Sequence, residues 1–298
     1  MKDSAPILVI GISSRALFNL SKENDIFENE GAEIYKDFQI QNEEVILEKG
    51  TGFYLVESLL KLNSYVANQR LVDVVIMSRN SSEISLRLLN SVSHYNLDIT
   101  RAAFTTGAPL APYLQAFNID LFLSAHLEDV QGAIDSGFAS AMIFPFHLKP
   151  QYPLNQIRIA FDGDAVLFSE ESENIFQIEG IDRFIEHERS NAKIPLPKGP
   201  FAPFLQQLGV VQMLLPKDTE LIRTALITAR DSNVHERVIR TLREWNIKIN
   251  ETFFMGGLSK SKVLEAFGAH IFFDDQISHI EPASKIVPTA LVPHPTKR

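Results

Sequence analysis

The residues able to do chemistry fall in four short stretches. Asp162, Gly163 and Asp164 interrupt the apolar stretch 157–169, setting two carboxylates two positions apart at what reads as the end of a buried strand. Thr228, Ala229, Arg230 and Asp231 follow an apolar run at 223–227. Gly256, Gly257 and Lys260 follow one at 253–255, and Asp274 and Asp275 follow one at 270–273. Singly these are ordinary: Asp-Gly and Asp-Asp form turns, a hairpin would account for the first stretch, and a lone Lys or Thr is usually a surface or capping residue. In a parallel sheet, however, four such strand ends lie along one edge, where open α/β sheets place their ligands. Carboxylates gathered there repel unless a cation sits among them, and a set with neither His nor Cys favours a hard ion, most naturally Mg²⁺. Lys260 offers a point charge to a phosphoryl oxygen, and Thr228 a hydroxyl with a backbone N–H beside it. A carboxylate nucleophile among metal, ammonium and hydroxyl suits phosphoryl transfer, which depends on positioning and charge stabilisation.

The elements that must position these groups alternate between strands and helices. Strands are expected at 7–12, 72–77, 102–105 and 121–123, with a polar break at Ser13, Ser14 and Arg15. Helical spacing marks 31–38 and 52–62, and a helix is expected at 83–95 with Ser81 or Ser82 as its cap. That alternation predicts an α/β fold with a Rossmann-like parallel sheet. The second half repeats the first. Phe104, Gly107, Leu114, Phe117 and Phe122 recur 150 positions later as Phe254, Gly257, Leu264, Phe267 and Phe272. Nearer the amino end Ala16, Phe27, Gly31 and Lys49 match Ala165, Phe176, Gly180 and Lys198 at an offset of 149. We read two tandem Rossmann-like halves from an internal duplication, residues 1–150 and 151–298, joined near 147–156 where Pro150 and Pro153 mark a linker. The catalytic half has room for a small helical cap at about 171–220, with candidate helices at 181–189 and 201–208. The halves differ where the chemistry lies. Ser13 stands at the position of Asp162, Arg15 at that of Asp164, Leu110 at that of Lys260, and Ser124 and Ala125 at those of Asp274 and Asp275. Only Thr228 keeps a hydroxyl counterpart, Ser78.

Composition sets outer bounds. At 298 residues, 45% hydrophobic and 22% charged, the chain has ample material for a core. A net charge of −9 without any basic block argues against nucleic-acid binding. The absence of cysteine excludes disulfides and thiolate metal sites. No run is long enough to span a membrane, so a soluble, cytoplasmic protein is expected.

The order DGD, then Thr, Lys and DD, each after a strand, resembles the haloacid-dehalogenase superfamily of aspartate-nucleophile phosphatases. More narrowly, AFDGDAVLFSEESE, IDRFIEHE, LITARD and HIFFDDQ resemble the cytosolic 5′-nucleotidase type I family, and the likeness extends through SSRALFNL, VIMSRN and NSVSHYNL. The resemblance implies a Mg²⁺-dependent 5′-nucleotidase that hydrolyses nucleoside 5′-monophosphates such as AMP, IMP or a deoxynucleotide. Asp162 would attack phosphorus and form an aspartyl-phosphate, and Asp164 would serve as acid and then base. Asp162, Asp164 through its carbonyl, Asp274 and Asp275 would hold the metal. Gly163, Thr228, Ala229 and Lys260 would bind phosphate, Lys262 being a nearby alternative to Lys260. Val166 stands where the superfamily motif carries Thr or Val. Arg230, Phe176 and His187 are candidates for substrate contact, and Phe201 and Phe204 could stack on a base, although aromatics at helical spacing are more often core. A phosphatase for another small phosphomonoester, or a catalytically idle nucleotide-binding protein, are the competing readings. An effector nucleotide, held for instance by Ser78, Arg79 and Asn80, and self-association are left open.

Overall fold

The computed structural model describes residues 5–146 and 156–296, so the expected linker falls, except for Gln156, outside the described residues. Ten strands form one sheet: β1 (Leu8–Ile12), β2 (Val72–Ser78), β3 (Arg101–Phe104), β4 (Leu121–Ser124), β5 (Ser140–Ile143), β6 (Ile157–Phe161), β7 (Ile222–Thr228), β8 (Glu251–Phe254), β9 (Ile271–Asp274) and β10 (Thr289–Leu291). Their order across the sheet is β8-β7-β6-β9-β10-β5-β4-β1-β2-β3. Every neighbouring pair is parallel except β5 and β10, which run antiparallel with Ala290 opposite Ile143 and Leu291 opposite Met142. Strands buried along their whole length and mostly apolar, such as β1 and β2, belong in a parallel sheet covered on both faces.

Two separate parallel sheets would follow from the strand pattern alone; the structure has a single mixed one. β5 and β10, which sequence patterning misses, are short and built partly from small residues. Each would otherwise be an edge with unpaired N–H and C=O groups, and pairing them removes both edges. The core is correspondingly shared. One cluster of buried side chains runs from Leu8 and Phe53 through Phe161, Phe201 and Phe273 to Val292. Phe161 stacks on Phe273 at 5.6 Å, and Phe201 lies 4.7 Å from the same ring. Each such phenyl contributes on the order of 2 kcal/mol by leaving water. Phe201 and Phe204 are therefore core residues and cannot stack on a ligand.

Helices differ from expectation in instructive ways. The break at Ser13–Arg15 is a helical turn, Ser14–Leu17, capped by Ser13 accepting from the Ala16 N–H. The expected 83–95 helix is a 3₁₀ turn, Ser82–Ile84, followed by Leu86–His94, with no side-chain cap from Ser81. The helix expected at 201–208 continues to Leu214 and packs into the core. Helical pairs Ser21–Glu30 with Ala32–Gln41, and Glu171–Glu179 with Ile181–Ser190, stand over the strand ends of the two halves. Gly31 and Gly180 make the corner of each pair at φ 91° and 84°, a conformation that side chains other than glycine rarely adopt.

The two halves share backbone bonds as well as strand order. The Ser13 N–H donates to Leu123 O and the Asp162 N–H to Phe273 O, both at 2.8 Å. The Gly107 N–H donates to Arg79 O at 2.7 Å and the Gly257 N–H to Ala229 O at 2.9 Å.

Candidate active site

Asp162, Thr228 and Asp274 are delivered by the ends of β6, β7 and β9, and Lys260 by the loop after β8. All four are buried, at 4% exposure or less. The Lys260 ammonium bridges Asp162 Oδ1 at 2.9 Å and Asp274 Oδ2 at 2.7 Å. Asp162 Oδ1 also accepts from the Gly163 N–H at 2.7 Å, so Oδ2 is the oxygen left open. Asp274 Oδ1 accepts from the Gln276 N–H at 2.9 Å, and the His279 imidazole lies 3.1 Å from Oδ2. Thr228 Oγ1 accepts from the Arg230 N–H at 3.2 Å. Ala229, beside it, is exposed.

Electrostatics here are strained by burial. The Asp162 carboxyl is pushed well above its ordinary range by loss of water; Lys260 opposes this, while Asp274 and Asp275 add to it. Asp274 is held below its ordinary value: burial works against it, but the His279 hydrogen bond and the Lys260 charge prevail. Burial likewise opposes the charge on Lys260, and the two carboxylates more than offset it, raising its pKa. One ammonium thus serves two buried carboxylates with Asp275 alongside. Asp162, Asp274 and His279 place one ligand atom each within 4.8 Å of one another. Asp275 Oδ2 meets His294 Nε2 at 3.1 Å, whereas its Oδ1 is buried without a hydrogen-bond partner among the described residues. That donor set and that unpartnered oxygen fit a divalent cation.

Asp164 occupies a different environment. Residues 163–167 form an irregular turn in which Ala165 takes φ 58°, a left-handed conformation unfavourable for a β-carbon. That turn aims Asp164 at Arg230, which donates to both carboxylate oxygens at 2.6 and 2.8 Å. Arg230 also ion-pairs with Glu188, from the Ile181–Ser190 helix. Arg237 donates to Glu188 Oε1 at 2.8 Å, as does the Ser172 hydroxyl. The Glu188 carboxyl is held below its ordinary value; burial resists this, and Arg230 and Ser172 outweigh it.

Sequence reasoning thus names a set that the fold divides. Asp162, Thr228, Lys260 and Asp274 converge. Asp164 sits beside them but is bound to Arg230, which is itself 5% exposed and committed to two carboxylates. Phe176 is exposed against Phe184, and His187 lies 3.4 Å from both Glu171 and Glu188. His279, Glu188 and Arg237 were missed, and a His is part of a cluster expected to hold none. Glu188 left a trace: it follows Phe184 by one helical turn, and a carboxylate on a core-facing stripe requires a buried partner.

The family model for 5′-nucleotidase matches residues 1–298. The chain is 41% identical over 289 residues to the human protein named Cytosolic 5′-nucleotidase 1B. That match covers 94% of this chain and 47% of the human protein, so the chain spans about half the length of that relative. No solved structure matches.

Proposed function

This chain belongs to the 5′-nucleotidase family, and from that premise we propose that it hydrolyses nucleoside 5′-monophosphates to nucleoside and phosphate through an aspartyl-phosphate. The observation that carries the reading is the convergence of Asp162 and Asp274, from two strand ends, and Lys260, from the loop after a third strand, onto one buried point. Asp162 Oδ2 attacks phosphorus, the bond to the 5′-oxygen breaks, and that oxygen takes its proton from Asp164. Asp164 then removes a proton from the water that attacks the aspartyl-phosphate, and the Asp162 carboxylate is restored. An ammonium has three donors; Lys260 uses two on carboxylates and keeps one for a phosphoryl oxygen. Thr228 supplies a hydroxyl, with the Ala229 N–H next to it in the chain and Gly163 packed against it in space. Arg230 orients Asp164 rather than touching substrate.

Asp162 and Asp274 with His279, and Asp275 through its unpartnered oxygen, would hold Mg²⁺. The ion would supply charge neutralisation for an anion attacking an anion. The shared strand order and backbone bonds support reading residues 1–150 and 151–298 as diverged copies of one ancestral unit, the second catalytic. The helices at 171–190 would then form the cap, while the Ala202–Leu214 helix belongs to the core. Among the described residues no helix is long and apolar enough to cross a membrane, and the cytosolic label of the relative is our basis for placing this chain there too.

The test is phosphate release from a panel of nucleoside 5′-monophosphates and sugar phosphates, with Mg²⁺ and after exhaustive chelation. We expect release from nucleotides only with the metal present. Preference for sugar phosphates would change the substrate, and full activity after chelation would remove the metal from the reading.

A further inference from the structure

A cavity of about 650 Å³ opens at the carboxyl ends of β1, β2 and β4. It takes the place in the amino-terminal half that the acidic cluster takes over β6, β7 and β9 in the other. Its lining includes Ser13, Ser78, His126 and Arg15. Arg15 donates to the neutral Asn24 Oδ1 at 2.7 Å and lies 3.4 Å from His126 Nε2. Other cations around the cavity are committed, Arg79 to Asp129 at 2.6 Å and Lys36 to Glu83 at 2.8 Å. Arg15 makes no ion pair among the described residues. Burial, and then Arg15 itself, lower the pKa of His126, and burial also lowers that of Arg15. Carboxylates also line the cavity: Glu23, Glu83 and Asp129 are ion-paired with Arg87, Lys36 and Arg79, while Glu28 attracts Arg15 without pairing with it, so that Arg15 and His126, with hydroxyls at hand, are the groups placed to meet a bound anion.

The lining is also aromatic. Phe27 and Tyr35 meet edge to face at 5.6 Å, and Phe27 is 48% exposed. The volume lies within the range of small-ligand sites, and walls of this kind accept a flat ring. The groups for turnover are missing. Ser13 replaces the nucleophile, Arg15 the acid, and the apolar Leu110 the bridging lysine.

We propose that this cavity is a second, non-hydrolytic site for a phosphate monoester carrying an aromatic heterocycle. Its phosphate would lie against Arg15, His126 and the hydroxyls of Ser13 and Ser78, and its ring against Phe27 and Tyr35. The inference rests on reading the two halves as copies, and it requires no particular substrate at the catalytic site.

Isothermal titration of the full chain with AMP tests it, using the Asp162→Asn protein so that no ligand is consumed. Two binding sites are expected. Adding Arg15→Ala, or Ser13→Asp, which sets a carboxylate against the phosphate, should weaken one of them by at least about tenfold and spare the other. Inorganic phosphate and ribose 5-phosphate should bind that site more weakly than AMP; equal affinity would overturn the aromatic part of the proposal. Arg15→Ala and Ser13→Asp in the otherwise unchanged protein should still release phosphate, which shows that each is folded. A single site in the Asp162→Asn protein, or two sites that survive both substitutions, would overturn the proposal. Loss of phosphate release in the unchanged protein would strike the nucleotidase reading instead.

Discussion

At the scale of residues, the site divides its charges between two buried assemblies with different work. Asp162 and Asp274 gather negative charge around one ammonium, that of Lys260, where our proposal has an anion attack. Asp162→Asn keeps the shape and removes the carboxylate that we propose as nucleophile. Phosphate release should fall by at least about 10³-fold, as removal of a nucleophile does elsewhere, with the circular dichroism spectrum unchanged. Retention of a few per cent of activity in the folded variant would exclude Asp162 as the attacking group. The second assembly, Glu188 with Arg230, Arg237 and Ser172, is structural and orienting. Glu188→Ala would take from two buried guanidinium groups the carboxylate they share, leaving Arg230 with Asp164 and Arg237 with Glu171 at 3.6 Å, and breaking a buried ion pair in this way costs about 3–5 kcal/mol. Denaturant unfolding should show a loss of that size. kcat should fall as well, because Arg230 then loses its anchor while still holding Asp164.

Elements set the stability that these residues draw on. Gly199 pairs beside the Phe168–Lys198 bridge, and a Cβ there would lie 2.3 Å from Phe168 O and 2.5 Å from Val166 O. The obstacle is backbone, which cannot swing aside. Gly199→Ala should therefore cost on the order of 1–3 kcal/mol or more. Gly209, inside the Ala202–Leu214 helix, has open space around its Cβ position. Gly209→Ala should stabilise by roughly 0.5–1 kcal/mol, since alanine loses less conformational freedom in a helix. Paired thermal melts should move in opposite directions. His270, at the entry to β9, supplies the acid sensitivity. Its Nδ1 accepts from the Arg158 N–H at 3.2 Å, and burial, reinforced by the Arg158 charge, brings its pKa down to about 4. The neutral ring is the folded form. Stability from it is complete above the unfolded value near 6.5 and is lost as pH falls from there toward about 4. The loss is up to about 3 kcal/mol. In His270→Gln the slope of stability against pH across that window should flatten; an unchanged slope would assign the acid sensitivity to other groups.

For the whole molecule, the antiparallel pairing of β5 with β10 makes one sheet of two parallel halves. It also joins the two halves in their largest core, since buried side chains of both belong to one cluster, while two smaller clusters lie within one half each. Residues 156–296 expressed alone would present β10 as an unprotected edge beside newly exposed apolar surface. Such a fragment should self-associate in sedimentation experiments. Adding residues 1–146 in trans should suppress this. A monomeric, stable fragment would mean that the junction is dispensable.

What the sequence by itself determined was local and periodic. Apolar runs place most strands within a residue or two, because a buried strand needs a short stretch of apolar side chains and little else. The acidic, hydroxyl and ammonium residues follow those runs directly, so alternation of strand and helix was enough to put Asp162, Thr228, Lys260 and Asp274 on one edge. The near-constant offset between the halves was visible for the same reason, as spacing along the chain. Only the tertiary structure decided which charges meet. Arg230 reaches Asp164 across 66 positions and Glu188 across 42, and His279 joins Asp274 from the following helix, pairings that no local pattern encodes. The joining of β5 to β10 was likewise out of reach. Three- and four-residue strands of modest hydrophobicity carry almost no signal of their own, and they become strands because each satisfies the backbone of the other.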